Sequence, residues 1–80
     1  MDIEVYFDLH DEAITRLRNR LDKYVVPRGY VRSEGESTIT TIAADIGVQY
    51  QTLNRFRNKE FLPRRENLIA LEKRLNEIEA

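Results

Sequence analysis

The segment ITTIAADIGVQYQTLNRFRN, residues 39–58, constrains the fold of this chain more than any other part of the sequence. Its apolar residues follow the spacing of two short helices that cross at a steep angle around a tight turn. Ala43 is small enough to lie where the helices approach most closely, and Gly47 can adopt the positive φ that ends the first helix. Leu53 and Phe56 predict the buried side of the second helix because they are three positions apart. The sequence therefore predicts a tight corner between two helices.

The second helix of this corner, predicted at about residues 49–58, has a polar outer side. Its outward side chains are of the types that contact base edges in DNA, namely Tyr50, Gln51, Asn54 and Arg55. Arginine can bridge guanine O6 and N7, and glutamine can bridge adenine N6 and N7. The alternative interpretation is a helical hairpin with an incidentally polar, solvated outer face.

Residues that flank the two helices form a second candidate set, for contacts with DNA phosphates. Polar residues near the helix starts and basic residues beyond the second helix make up this set, namely Thr38, Gln49, Thr52, Arg57, Lys59, Arg64 and Arg65. Ser37 or Thr38 is also expected to cap the first helix of the corner, which the sequence predicts to run to Ile46. The alternative for each basic residue is a solvated surface position.

The segment AADIGVQYQTLNRF resembles the helix-turn-helix of the lambda repressor and Cro class, and the Cro version in particular. The matching residues before the second helix are Ala43, Asp45, Gly47 and Val48. An apolar–Asn–basic triplet inside that helix completes the match, as Leu53, Asn54 and Arg55. Residues 58–75 extend the resemblance weakly, as the loop and following helix of the family. The resemblance implies a small phage-type or mobile-element repressor that binds double-stranded DNA as a homodimer on a palindromic operator, without a cofactor.

Three further elements are predicted around the corner. Alternating apolar residues predict a half-buried strand within residues 1–9, and an apolar stripe predicts a helix from about Asp11 to Val25. Pro63 suits the first turn of a last helix. The stripe of that last helix consists of Leu68, Leu71, Leu75 and Ile78.

The strand needs a pairing partner, and two are available. One is a short extended piece at residues 30–32, within the connection of residues 26–37, which would give a small two-stranded sheet. The other is the same strand of a second subunit. The connection also departs from the repressor class, in which a short link precedes the corner.

The sequence thus predicts one mainly α domain over residues 1–80, a four-helix helix-turn-helix domain of lambda-repressor-like type with a short N-terminal strand. Its parts are a strand, an N-terminal helix with its loop, the helix-turn-helix, and a loop with the C-terminal helix, at residues 1–9, 10–36, 37–58 and 59–80. The chain has 80 residues, too few for a second core of ordinary size.

The charges are segregated along the chain, although the formal net charge is only −1. Residues 1–12 sum to −5, residues 13–32 to +5 and residues 38–65 to +3. DNA responds to the local field of the docked face, because salt screens charges beyond about 8–10 Å. A positive middle of the chain is therefore compatible with DNA binding.

The composition and motifs of the chain argue against several functional classes. The chain has no cysteine and one histidine, so disulfides and thiolate metal sites are excluded and no metal is expected. It has no apolar run of about 18 residues and no signal segment, so we expect a cytoplasmic protein without a membrane partner. An enzyme is not expected, because no nucleophile–base pair or glycine-rich phosphate loop is present. The main competing class is a protein-interaction module, antirepressor-like or antitoxin-like, which would bind a protein through the acidic residues 2–9.

Overall fold

The computed structural model describes residues 12–80, which form four helices and no strand. The helices are α1 Glu12–Asp22, α2 Ile39–Ile46, α3 Tyr50–Arg57 and α4 Arg65–Glu79. The prediction of a mainly α, four-helix chain is confirmed. The strand predicted at residues 1–9 lies outside the described residues.

All four helices contribute to one hydrophobic core. The helices α2 and α3 pack on each other, α2 also packs on α4, and α1 packs on both α3 and α4. The fully buried side chains of the core are Leu21, Ile42, Leu53, Phe56, Leu71 and Leu75. Burying each of these side chains contributes about 1.5–3 kcal/mol, because apolar surface leaves water. The core therefore holds one side of α3 in place and leaves its other side to solvent.

The first helix ends at Asp22, three residues before its predicted end. Tyr24 donates a turn bond to the carbonyl of Leu21 (3.0 Å), and its own carbonyl accepts from the backbone N–H of Ile39 (3.0 Å). This second bond fastens the end of α1 to the start of α2. Tyr24 and Val25 still pack against the core, so the apolar stripe continues outside the helix.

The connection between α1 and α2 contains turns, and residues 30–32, one of the two pairing partners considered for the N-terminal strand, form no strand. Backbone bonds close one turn from Tyr30 to Pro27 and another from Glu36 to Ser33, each at 3.0 Å. The Glu36 carboxylate also accepts from the Tyr30 hydroxyl (2.8 Å) and from the Ser33 N–H (3.1 Å). The hydrogen bond from Tyr30 to this carboxylate raises the pKa of the Tyr30 hydroxyl. These local hydrogen bonds thus occupy backbone groups that would have been paired in a sheet.

The last helix begins later than predicted. Arg64 is its N-cap, with extended backbone angles, so Pro63 precedes the helix and does not lie in its first turn. Pro63 is buried, so packing holds its ring just before the helix. The predicted stripe of α4 is confirmed, since Leu71 and Leu75 are buried and the other two members, Leu68 and Ile78, pack partly against the core. None of the helices in residues 12–80 has the length and apolar character needed to cross a membrane.

Candidate nucleic-acid interface

The turn between α2 and α3 is fixed by backbone hydrogen bonds around Gly47. Gly47 has φ 77° and ψ 27°, the left-handed conformation that the sequence predicts there. The N–H of Val48 donates to the carbonyl of Ala43 (3.0 Å), and the N–H of Gly47 donates to Ala44 (3.3 Å). This pair of bonds is a Schellman motif, which satisfies the last carbonyls of α2. Ala43 is 1% exposed and leaves no room for a larger side chain without displacing its neighbours.

The start of α2 is closed by a capping box. The hydroxyl of Thr38 accepts from the backbone N–H of Thr41 (3.4 Å), and the hydroxyl of Thr41 accepts from the N–H of Thr38 (2.8 Å). Thr38 is only 4% exposed. Its buried hydroxyl stabilises the helix start, which is its expected capping role, and we therefore omit Thr38 from the phosphate contacts proposed below.

The two sides of α3 differ in chemistry. Leu53 and Phe56 enter the core, whereas Tyr50, Gln51 and Arg55 are exposed on the outer side. Asn54 is half-buried at the edge of this outer side. Near the helix start, Gln49 is exposed and Thr52 is half-buried. Among residues 12–80, no acidic side chain pairs with the guanidinium of Arg55.

Arg57 lies on the side of α3 that faces α1. Its guanidinium pairs with the carboxylate of Asp22 (3.3 Å) and lies 3.5 Å from the amide oxygen of Asn54. Its Nε is buried and has no hydrogen-bond partner among the described residues. Arg57 therefore links α3 to α1, and it reaches a phosphate only if the pair with Asp22 opens.

The end of α3 repeats the Schellman motif without a glycine. The N–H of Glu60 donates to the carbonyl of Arg55 (2.8 Å), and the N–H of Lys59 donates to that of Phe56 (3.1 Å). Lys59 has φ 64°, the left-handed region that a side chain with a Cβ rarely adopts. The loop after α3 therefore turns at an exposed lysine.

Lys59→Gly is expected to raise the free energy of unfolding by about 0.5–1 kcal/mol, because the left-handed strain exceeds the extra chain entropy of glycine. Thermal denaturation followed by circular dichroism measures this effect. Lys73→Gly is the matched control, since Lys73 is exposed inside α4 and glycine there should cost about 1 kcal/mol. Equal losses of stability in both variants would contradict the assigned backbone conformation of Lys59.

The loop between α3 and α4 returns Phe61 to the outer side of α3. Phe61 is 44% exposed and lines a recess of about 90 Å³ together with Gln49, Gln51, Thr52 and Arg55. The sequence pattern did not identify Phe61 as a functional residue. The signal that could have found it is an apolar residue four positions past the end of α3 that belongs to no apolar stripe.

Exposed basic residues follow α3 along the chain. Arg64 is 84% exposed on its side chain and lies 4.0 Å from Glu66, which is a weak surface pair. Arg65, the first residue of α4, and Lys59 are also exposed. Lys59, Arg64 and Arg65, the predicted phosphate contacts beyond α3, are therefore exposed, whereas Arg57 at the end of α3 is half-buried and paired with Asp22.

Comparisons of the chain with family models, with curated proteins and with solved structures found no match. Within the described part of the chain, no group of three or more His, Cys, Asp or Glu side chains is placed to hold a metal ion.

Proposed function

We propose that this protein is a sequence-specific DNA-binding transcriptional regulator of the lambda repressor and Cro-like helix-turn-helix type. The outer side of α3 carries this proposal, because it exposes Tyr50, Gln51 and Arg55, residue types that contact base edges, on a helix whose other side is held in the core. In this function α3 enters the major groove. Arg55 and Gln51 contact base edges, with Tyr50 and Asn54 beside them.

Phosphate contacts would come from the residues around α3. Gln49 and Thr52 lie at its start, and Lys59, Arg64 and Arg65 follow its end. These contacts fix the position of the protein on the duplex without reading its sequence. Arg57 joins them when it exchanges the carboxylate of Asp22 for a phosphate.

The distribution of ion pairs supports a local positive field at this surface. Three arginines away from the outer side of α3 are neutralised within the described residues: Arg20 by Glu79, Arg57 by Asp22, and Arg74 by Asp45 and Glu77. Arg55 and Lys59 have no such partner in residues 12–80. Arg55 and Lys59 therefore add positive charge where α3 would meet the duplex, and exposed cations such as Arg16 and Lys23 add it elsewhere, although the net charge of the chain is −1.

The mechanism we propose is occupancy of an operator by a homodimer, in the cytoplasm and without a cofactor. A two-fold dimer binds half-sites about 34–36 Å apart, one helical turn of DNA, so the operator is palindromic. Such a dimer would repress by covering a promoter, as expected of a phage or mobile-element regulator.

Selection of bound duplexes from a random pool tests the proposal, and a palindromic consensus is the expected result. Arg55→Ala should then weaken binding to the selected duplex by about 1–3 kcal/mol and relax the preference at one base pair. Arg16→Ala is the matched control, since Arg16 is an exposed arginine on α1 and its removal changes the charge equally. Affinities for selected and scrambled duplexes are measured by fluorescence anisotropy at several salt concentrations.

Two outcomes would contradict the proposal. One is a selection without enrichment of any sequence. The other is an Arg55→Ala variant that distinguishes the selected duplex from a scrambled one as well as the unchanged protein does. Loss of a protein partner on changes to residues 2–8, with α3 dispensable, would favour the protein-interaction module instead.

A further inference from the structure

Phe61 is a large apolar side chain held beside the polar outer side of α3. Two features fix its position. Lys59 turns the chain in the left-handed conformation, and the bond from the N–H of Glu60 to the carbonyl of Arg55 (2.8 Å) ties the loop to α3. The two residues that follow are anchored, because Leu62 packs against the core and Pro63 is buried. The short loop that carries Phe61 is therefore held on both sides of this residue, yet 44% of Phe61 stays exposed.

The recess beside this ring has one apolar wall and several polar walls. Phe61 supplies the apolar wall, and Gln49, Gln51, Thr52 and Arg55 supply amide, hydroxyl and guanidinium groups. Its volume is about 90 Å³. A single water needs only about 10–15 Å³ of such space, so the recess has room for a methyl group and the adjoining base edge.

The major-groove edge of thymine matches these walls. Thymine presents a hydrogen-bond acceptor, O4, next to the C5 methyl group, whereas cytosine presents an N4 donor and no methyl group. Gln51 and Arg55 can donate to O4 or to the adjacent base, and a phenylalanine ring is a suitable contact for the methyl group. The guanidinium of Arg55 offers no acceptor to the N4 donor of cytosine, whereas the oxygens of Gln49, Gln51 and Thr52 do. The methyl group, which cytosine lacks, is therefore the feature that Phe61 distinguishes.

On these grounds we propose that the recess receives the C5 methyl group of one thymine per half-site, and that Phe61 is a specificity-determining residue. This inference rests on the proposed DNA-binding function and deepens it. The protein then selects thymine at one position beside the bases contacted by Arg55 and Gln51. Removing only the methyl group weakens binding at that position.

Replacement of single thymidines by 2′-deoxyuridine in the selected duplex provides the test, because uracil keeps O4 and lacks only the methyl group. The unchanged protein should lose about fourfold in affinity at one thymine of each half-site, the value of one buried methyl or methylene group. Phe61→Ala should bind the thymine and uracil duplexes equally. Phe61→Leu, which keeps an apolar wall, should retain part of the difference. Melting curves confirm that both variants are folded.

Arg64→Ala is the control in this experiment, since Arg64 is exposed outside the recess. It should weaken both duplexes by the same factor and leave their ratio unchanged. A selected duplex without any thymine-to-uracil difference would overturn this inference alone. A difference that persists unchanged in Phe61→Ala would also overturn it. A selection that yields no preferred duplex would overturn the inference and the proposed function together.

Discussion

Replacement of Phe56 by alanine is expected to remove about 3–5 kcal/mol from the free energy of unfolding. Phe56 is fully buried between the helices, and truncation of a buried phenylalanine to alanine costs about 3–5 kcal/mol. A domain of 80 residues has a total free energy of unfolding of about 4–12 kcal/mol, so this loss consumes a large share of it. Urea and thermal denaturation followed by circular dichroism measure the effect.

Phe61→Ala provides a matched control for this prediction. The substitution is chemically the same and lies five residues along the chain, but Phe61 is 44% exposed and borders solvent. We expect it to lower the free energy of unfolding by no more than about 1 kcal/mol, because less apolar surface is lost from the interior. Similar losses of unfolding free energy in both variants would contradict the burial of Phe56 and the exposure of Phe61 described above.

Gly47→Val is expected to lower the free energy of unfolding by about 1–3 kcal/mol, through backbone strain. A Cβ at position 47 would meet no atom within 4 Å outside the neighbouring residues, so the Cβ itself does not clash. The cost comes from φ of 77°, which a β-branched residue resists. Denaturant titration measures the difference between the variant and the unchanged protein.

Gly47→Asn separates strain from other effects of the substitution. Asparagine tolerates the left-handed region better than other residues with a Cβ, so this variant should lose clearly less stability than Gly47→Val. A Gly47→Val variant with an unchanged melting temperature, or equal losses for both variants, would contradict a strained turn between α2 and α3.

The corner between α2 and α3 could be predicted because its signals are local and redundant. Small Ala43, turn-forming Gly47 and the pair of Leu53 and Phe56 indicate the same geometry from independent physical causes. The stripe of α4 could be predicted for the same reason, because its apolar positions repeat with the helical period. Both elements can be predicted without knowing which residues pack against them.

The connection between α1 and α2 was predicted less well because its structure depends on local hydrogen bonds that the apolar pattern does not show. Residues 30–32 have strand-like composition, but backbone bonds close two turns around them, and the Glu36 carboxylate also accepts from Tyr30 and Ser33. Thr38 illustrates a related difficulty. A threonine at a helix start suits both a cap and a phosphate contact, and only its burial separates the two.

Part of the candidate interface could not be predicted from the sequence, because it depends on where a loop returns. The exposed set on α3 follows from helical periodicity. The proximity of Phe61 to Arg55 does not, since it requires the left-handed Lys59 and the bond from Glu60 to Arg55. The engagement of Arg57 with Asp22 likewise joins residues that are distant in sequence.

The backbone bond between Ile39 and Tyr24 gives the protein a natural position for engineered insertions. The bond joins the N–H of Ile39 to the carbonyl of Tyr24 (3.0 Å), so it holds the two ends of the connection together where α2 begins. A longer peptide in place of residues 27–36 would leave those ends where they are, because loop-closure entropy costs only about 0.6 kcal/mol for each doubling of length. A fluorophore-binding tag or an affinity peptide could therefore be carried there without moving α3.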